Sequence, residues 1–371
     1  MMSTGARMAR SIASARFLMR ARFLMRARFL ASILAGVAAL WFGAAALAQT
    51  VDPELVRKAR EEGQLTWYTS LIVQQAVRPA VDAFEAAYPG IKVAFNRQTS
   101  ADLAQRILAE GRAGRMQADV FDGSSTIFKL LDADLVASYR PAAAAGYPAD
   151  FVDPNGKWVA LNVYYLVPAY NTRLVARADA PKSYDDLLDP KWRGKIAWAD
   201  DPGVNGPPGF IAAMLGIKGK EAGMAYLARL AEQKIAKVPA AQRVVLDQVI
   251  GGEYPLALMT FNHHSAISQK DGAPVEWIRI EPTIATVNYL SMTKGAPHPN
   301  AAKLFMEFMT SEVGQRVLRN ANYLPAHPGV SAAIENLKPE AGQFKAFAIS
   351  AEAQHAEFGN WLKVYEDLFR K

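Results

Sequence analysis

Two periods of apolar and polar residues take turns along this chain. Gln64-Leu-Thr-Trp-Tyr68 alternates with a period of two and predicts a strand. Val77, Ala80, Val81, Phe84 and Tyr88 recur at helical spacing over Ala76 to Tyr88, and Pro89-Gly90 stops that helix. Ile91, Val93 and Phe95 alternate again. Ser100 is placed to cap a helix whose buried stripe is Leu103, Ala104, Ile107 and Leu108, with Gly111 at its end and a short strand over Ala118 to Phe121 following. Strand and helix in alternation predict an α/β lobe with a largely parallel sheet.

Further on, Trp158 to Tyr170 is extended for longer than one small sheet needs, which predicts a segment that crosses into a second lobe. A strand at Lys195–Trp198, a Pro- and Gly-rich loop at Asp200–Gly209, helices near Glu221–Glu232 and Gln242–Ile250, and strands at Tyr254–Met259 and Val275–Ile280 would build that lobe. Ile284–Met292 is extended again and leads back, and Asn300 is placed to cap a helix carrying Leu304, Phe305, Phe308, Met309, Val313 and Val317 on one face. The expected division is 49–165 with 283–371 as the first lobe and 166–282 as the second. Two lobes joined by two crossing segments close over a ligand held between them.

Charge changes the reading of the N-terminus. The formal balance is +7, yet seven arginines lie in residues 1–48 with no acidic residue or lysine. Removing them leaves 35 Lys and Arg against 35 Asp and Glu, so the remainder is formally neutral and gives no electrostatic reason to expect nucleic acid as a partner. Phe29 to Ala48 is uncharged and ends in Ala46-Leu47-Ala48, the pattern of a secretory signal peptide cleaved after Ala48. Ala15-Arg-Phe-Leu-Met-Arg20 recurs as Ala21-Arg-Phe-Leu-Met-Arg26 within it; a six-residue period matches no solenoid unit. A chain without cysteine has no thiolate metal site, iron–sulfur cluster, thiol nucleophile or cysteine-linked lipid. A soluble, monomeric protein of the periplasm is expected, with no cofactor and no resident metal.

Candidate binding groups sit in polar turns at strand ends, where open α/β sheets take their ligands. Ser70 follows the first strand, and Gly123-Ser124-Ser125 follows the third, with the glycine allowing close backbone approach. His263-His264 comes directly after a strand. In an extended segment adjacent side chains face opposite ways, so one imidazole would meet the cleft and the other would pack. Tyr164 and Tyr170 on the first crossing segment and Asn288 on the second are placed to add aromatic walls and an amide, while Tyr165 reads as core.

Several segments together resemble the type 2 periplasmic solute-binding proteins of ABC importers, in particular the ferric-iron-binding branch. They are Gly63-Gln-Leu-Thr-Trp-Tyr-Thr-Ser70, Ala118-Asp-Val-Phe121, Tyr170-Asn-Thr-Arg173, Tyr184-Asp-Asp-Leu-Leu-Asp-Pro-Lys-Trp-Arg-Gly-Lys-Ile196 and Ser311-Glu-Val-Gly-Gln315. The resemblance spans most of residues 54–330. It implies a Venus-flytrap fold, each lobe a central mixed sheet flanked by helices, that captures a small polar or anionic solute and delivers it to a permease in the inner membrane. It also implies an anion site at the helix start near Gly209 and Phe210. Ferric-binding members ligate iron with two adjacent tyrosines; here Asn262 and His263 stand in those places, and Ser124 stands where an acidic ligand is expected. A ferric-binding receptor and a periplasmic hydrolase using His263 or His264 are the alternatives. No H-E-x-x-H, G-x-S-x-G or P-loop motif supports catalysis.

Overall fold

Strands and helices alternate from the first described residues, as the periodicity predicts. In the computed structural model, which describes residues 51–339 and 344–370, α1 (Pro53–Glu62), β1 (Gln64–Thr69), α2 (Arg78–Ala87), β2 (Lys92–Arg97), α3 (Ser100–Arg112), β3 (Val120–Gly123) and α4 (Thr126–Asp132) come first. β4 (Val159–Asn171) is the long crossing strand. It leads to β5 (Ile196–Ala199), α5 (Pro207–Lys218), α6 (Lys220–Ala231), β6 (Ala236–Val238), α7 (Gln242–Gly251), β7 (Leu256–Phe261), α8 (Asn262–Lys270) and β8 (Val275–Trp277). The second crossing strand is β9 (Thr283–Met292). After it come α9 (Pro299–Thr310), α10 (Glu312–Asn320), β10 (Leu324–Pro325), β11 (Ala346–Ala348) and α11 (Ala351–Phe369). The expected signal segment and its repeat lie outside the described residues.

Local chemistry sets the helix starts, not always at the residue the sequence suggests. α3 is capped by Thr99, whose hydroxyl accepts from the Asp102 amide at 3.2 Å, and Ser100 is already inside the helix. The N-terminus of α9 is capped from outside. Glu62 at the end of α1 accepts from the Asn300 and Ala301 amides and from the Asn300 side chain, so the cap reaches across from another element.

The strands form one continuous path in the order β2-β1-β3-β9-β4-β7-β5-β6. β1 pairs parallel with β2 and β3, and β5 pairs parallel with β6 and β7. Between these two groups lie β9 and β4, antiparallel to each other and to their flanking neighbours β3 and β7. The two long strands therefore belong to both halves and carry the chain across twice. In the first half Trp67 and Phe84 pack on Phe305, with ring centroids 5.1 Å apart in each case. In the second, Tyr184, Trp198, Phe210, Tyr226 and Leu256 share one core.

The C-terminal helix departs from the expected division, which put 283–371 wholly in the first lobe. Trp361, Tyr365 and Phe369 of α11 belong to the core of the second half, where Phe369 meets Trp198 at 4.9 Å. Tyr365 donates to Asp200 at 2.6 Å. Its sequence spells an amphipathic helix but not the surface that accepts it. The second turn of α11 reaches back to α4, where His355 lies 2.6 Å from Asp132.

Candidate functional site

The two crossing strands place four polar or aromatic side chains together. Asn162 pairs across from Asn288, and Tyr164 across from Thr286. Spacing of two along each strand puts all four on one face. All are buried, and the Asn288 amide donates to Asn162 Oδ1 at 2.9 Å. β10 pairs with the other edge of β4, bringing Tyr323 alongside, with its ring centroid 6.4 Å from that of Tyr164.

From the first half, the ends of β1 and β3 meet this ribbon through Asp122. Its fully buried carboxylate accepts from Trp67 Nε1 at 2.9 Å, from the Ser70 amide and hydroxyl at 3.0 and 2.7 Å, and from Asn288 Nδ2 at 3.3 Å. Burial pushes its carboxyl above the usual range, while the donors, among them Ser70 and Asn288, pull the other way. Every one of these partners donates, so Asp122 works as the carboxylate and positions Ser70 and Asn288.

From the second half comes the start of α8. The sequence reading made the twin imidazoles part of an extended segment, and this is corrected: β7 ends at Phe261 and the helix begins at Asn262. His263 and His264 therefore occupy the first helical turn, their rings 4.4 Å apart. His263 has no exposed surface and lies among Phe261, Tyr164 and Tyr323, with centroids at 5.7, 6.2 and 5.6 Å. Neither of its ring nitrogens has a hydrogen-bond partner among the described residues, and the same holds for His264 Nδ1, Asn262 Oδ1, Ser265 Oγ and Asn288 Oδ1. Burial holds His263 well below its usual pKa of 6.5, with His264 adding to the effect; burial and the nearby Arg243 bring His264 down to about 4. Both imidazoles are neutral at physiological pH, each with one donor and one acceptor nitrogen. Burial also keeps the phenols protonated, Tyr164 well above 10 and Tyr323 pushed up to about 12.

Of the residues singled out from sequence, Ser70, Tyr164, His263 and Asn288 thus come together. Ser124 is buried beside them and accepts from Asn205 Nδ2 at 2.9 Å, while Ser125 is half-buried at the start of α4 and does not cap it. Asn262 ties down the later chain by donating to the Leu337 carbonyl at 2.8 Å, and His264 lies edge-on to Phe261. Three expectations are corrected. Tyr170 sits at the far end of β4 in the second core, where its hydroxyl donates to Glu276 at 2.5 Å. Phe210 packs against Tyr184, Trp198 and Tyr226. Gly209 serves close packing, because a Cβ there would lie 1.7 Å from the Val204 carbonyl oxygen. Asp122, Asn162, Thr286, Asn205 and Tyr323 were missed. The period-two spacing of Asn162 with Tyr164, and of Thr286 with Asn288, carried a signal; Tyr323 had none, because only the pairing of β10 with β4 brings it in.

An open groove of about 820 Å³ lies elsewhere, around Tyr170, Arg177, Glu276, Trp277 and Arg279. Its polar pair, buried Tyr170 with half-buried Glu276, is already satisfied, whereas the cluster on the crossing strands holds unpaired donors and acceptors. Unmet buried hydrogen-bonding capacity points to the cluster rather than the groove. The cluster also lacks the parts of a hydrolase. His263 has no carboxylate to orient it, and among the described residues no three His, Asp or Glu side chains converge on a metal-sized point.

Residues 116–348 match the model of the bacterial extracellular solute-binding protein family. The major ferric iron-binding protein of Neisseria meningitidis serogroup B is 30% identical over 303 residues, covering 76% of this chain and 88% of that one. Iron-bound HitA from Pseudomonas aeruginosa superposes with a TM-score of 0.70 at 25% identity, over 82% of this chain and 99% of that one. The periplasmic binding protein AfuA from Actinobacillus pleuropneumoniae, with fructose-6-phosphate bound, gives 0.71 at 23% identity over 83% and 99%, a likeness of fold. The two-lobed binding-protein fold, the crossing strands and the matched family agree: this chain is a member of the bacterial extracellular solute-binding proteins.

Proposed function

We propose that this protein is exported, loses its first 48 residues, and captures a small polar solute between its halves in the periplasm for delivery to an ABC permease. It acts as a monomer whose halves divide near residue 165 on β4 and residue 283 on β9, with α11 carried by the second half. The observation that supports this reading is the unpaired set on His263, His264 and Asn288, buried between the crossing strands and the first turn of α8. Leaving such groups unsatisfied costs about 1–3 kcal/mol each, which a bound solute or its water offsets. The solute fitting neutral imidazoles, amides and protonated phenols carries both donors and acceptors, as hydroxylated compounds and partly protonated oxyanions do. The uncapped N-terminus of α8 adds partial positive charge toward an oxyanion.

Ferric ion is the competing cargo, because the Neisseria relative is named for it. Fe(III) favours hard anionic oxygens. Asn262 and His263 supply neither phenolate nor carboxylate at the first turn of α8. Thermal-shift screening of solute-stripped protein against sugars, sugar phosphates, phosphonates, carboxylates and ferric salts separates the two readings. An organic solute is expected to raise Tm in proportion to the logarithm of its concentration above Kd. Ferric ion as the strongest stabiliser, with a tyrosinate absorption band, would reverse the choice; turnover of a stabilising compound would reinstate an enzyme.

A further inference from the structure

The loop between β5 and α5 belongs to the second half, yet one of its side chains reaches the first. Asn205 Nδ2 donates to Ser124 Oγ at 2.9 Å, just beyond β3, and Asn205 Oδ1 accepts from Thr286 Oγ1 on the crossing strand β9 at 2.7 Å. One amide thus spans both halves and the strand that joins them. The loop presents it from a fixed position. Asp201 accepts from the Gly203 amide at 2.7 Å and from Gln242 Nε2 at 2.8 Å, and the same Gln242 nitrogen donates to the Asn205 carbonyl at 3.0 Å. A Cβ at Gly206 would sit 2.1 Å from the Asp201 carbonyl oxygen, so the backbone there is already in contact with itself. Ser124 and Thr286 are both buried, which makes the geometry of this bridge dependent on the halves being together.

We propose that Asn205 is an interlobe latch, holding part of the solute-free population closed by joining Ser124 of the first half to the loop of the second. This extends the two-lobe reading of the protein and does not depend on which solute it takes. Thr286 lies beyond the division near residue 283, so swinging the halves apart about β4 and β9 carries both Ser124 and Thr286 away from the loop and breaks both bonds to Asn205. Asn205 is a positioning residue here: a solute that uses Ser124 must replace it, so the latch also raises the affinity required of any competitor for that hydroxyl.

The chain contains no cysteine, so Arg112→Cys on α3 and Ala228→Cys on α6, both exposed, accept one spin label each. Distances between the labels are measured by pulsed electron paramagnetic resonance in protein purified from the periplasm and stripped of solute. The parent is expected to show a closed, shorter population. In Asn205→Ala the closed-to-open ratio is expected to fall at least roughly two- to twelve-fold, the span one net hydrogen bond confers. Ser124→Ala is expected to open the protein less, and Ser124→Ala combined with Asn205→Ala no more than Asn205→Ala alone. Asn205→Leu keeps the side-chain shape and loses both the donor to Ser124 and the acceptor for Thr286, so it is expected to match Asn205→Ala. This isosteric variant decides the matter if Asn205→Ala fails to fold. Unchanged distances in Asn205→Leu, or a full additional shift on adding Ser124→Ala to Asn205→Ala, would overturn the latch. Such a result would leave the receptor reading standing, since no solute enters this measurement.

Discussion

His264 ties burial directly to a measurable response. Its folded pKa is brought down to about 4 from 6.5, and burial holds His263 well below 6.5 as well. Between those values the unfolded chain binds protons that the folded one refuses, so stability rises with pH across the window and is lost as pH falls from about 6.5 toward 4. For His264 alone the loss approaches about 3 kcal/mol. His264→Gln is expected to flatten this part of the curve relative to the parent, in urea titrations at pH 7 and pH 4.5. Equal slopes for the two proteins would mean that His264 is hydrated. The twin imidazoles were visible in the sequence as an oddity after a strand, but their burial and their helical setting were not. Both follow from where β7 stops, and no single residue near Phe261 signals that boundary.

At the scale of elements, the long runs of β4 and β9 were legible because neither fits inside a single small sheet. The cross-strand match of Asn162 with Asn288 was not, because it depends on register across more than a hundred residues. Cap residues failed in a related way. Ser100 and Asn300 have the right chemistry, yet Thr99 stands one residue earlier and Glu62 arrives from another helix. The anion site that the family resemblance implies near Gly209 is not where the structure uses this residue, which makes the contact between α5 and its own preceding loop. Gly209→Ala is therefore expected to destabilise the fold by about 3 kcal/mol or more, since the Cβ meets a backbone oxygen that no rotamer change can move. Chemical denaturation measures this directly. A change below about 0.5 kcal/mol would show that the loop adjusts freely, and would remove the rigidity on which the presentation of Asn205 depends.

For the whole molecule, α/β alternation, two crossing strands and export were all readable from patterning and charge. Attachment of α11 to the second half was not, because an amphipathic helix at the end of a chain fits any complementary apolar surface. Its position matters for motion: Tyr365 and Phe369 are embedded beside Trp198, while His355 touches α4, so closure must carry α11 with one half and slide it against the other. In the proposed complex the solute is enclosed by Ser70, Tyr164, His263 and Asn288, on the face where the crossing strands meet the start of α8. A crystal structure of the protein purified from the periplasm with its own solute retained tests this most directly. Density for the solute within hydrogen-bonding distance of His263 and Asn288 is the predicted result; a solute seated in the groove beside Trp277 and Arg279, with His263 still unpartnered, would contradict it.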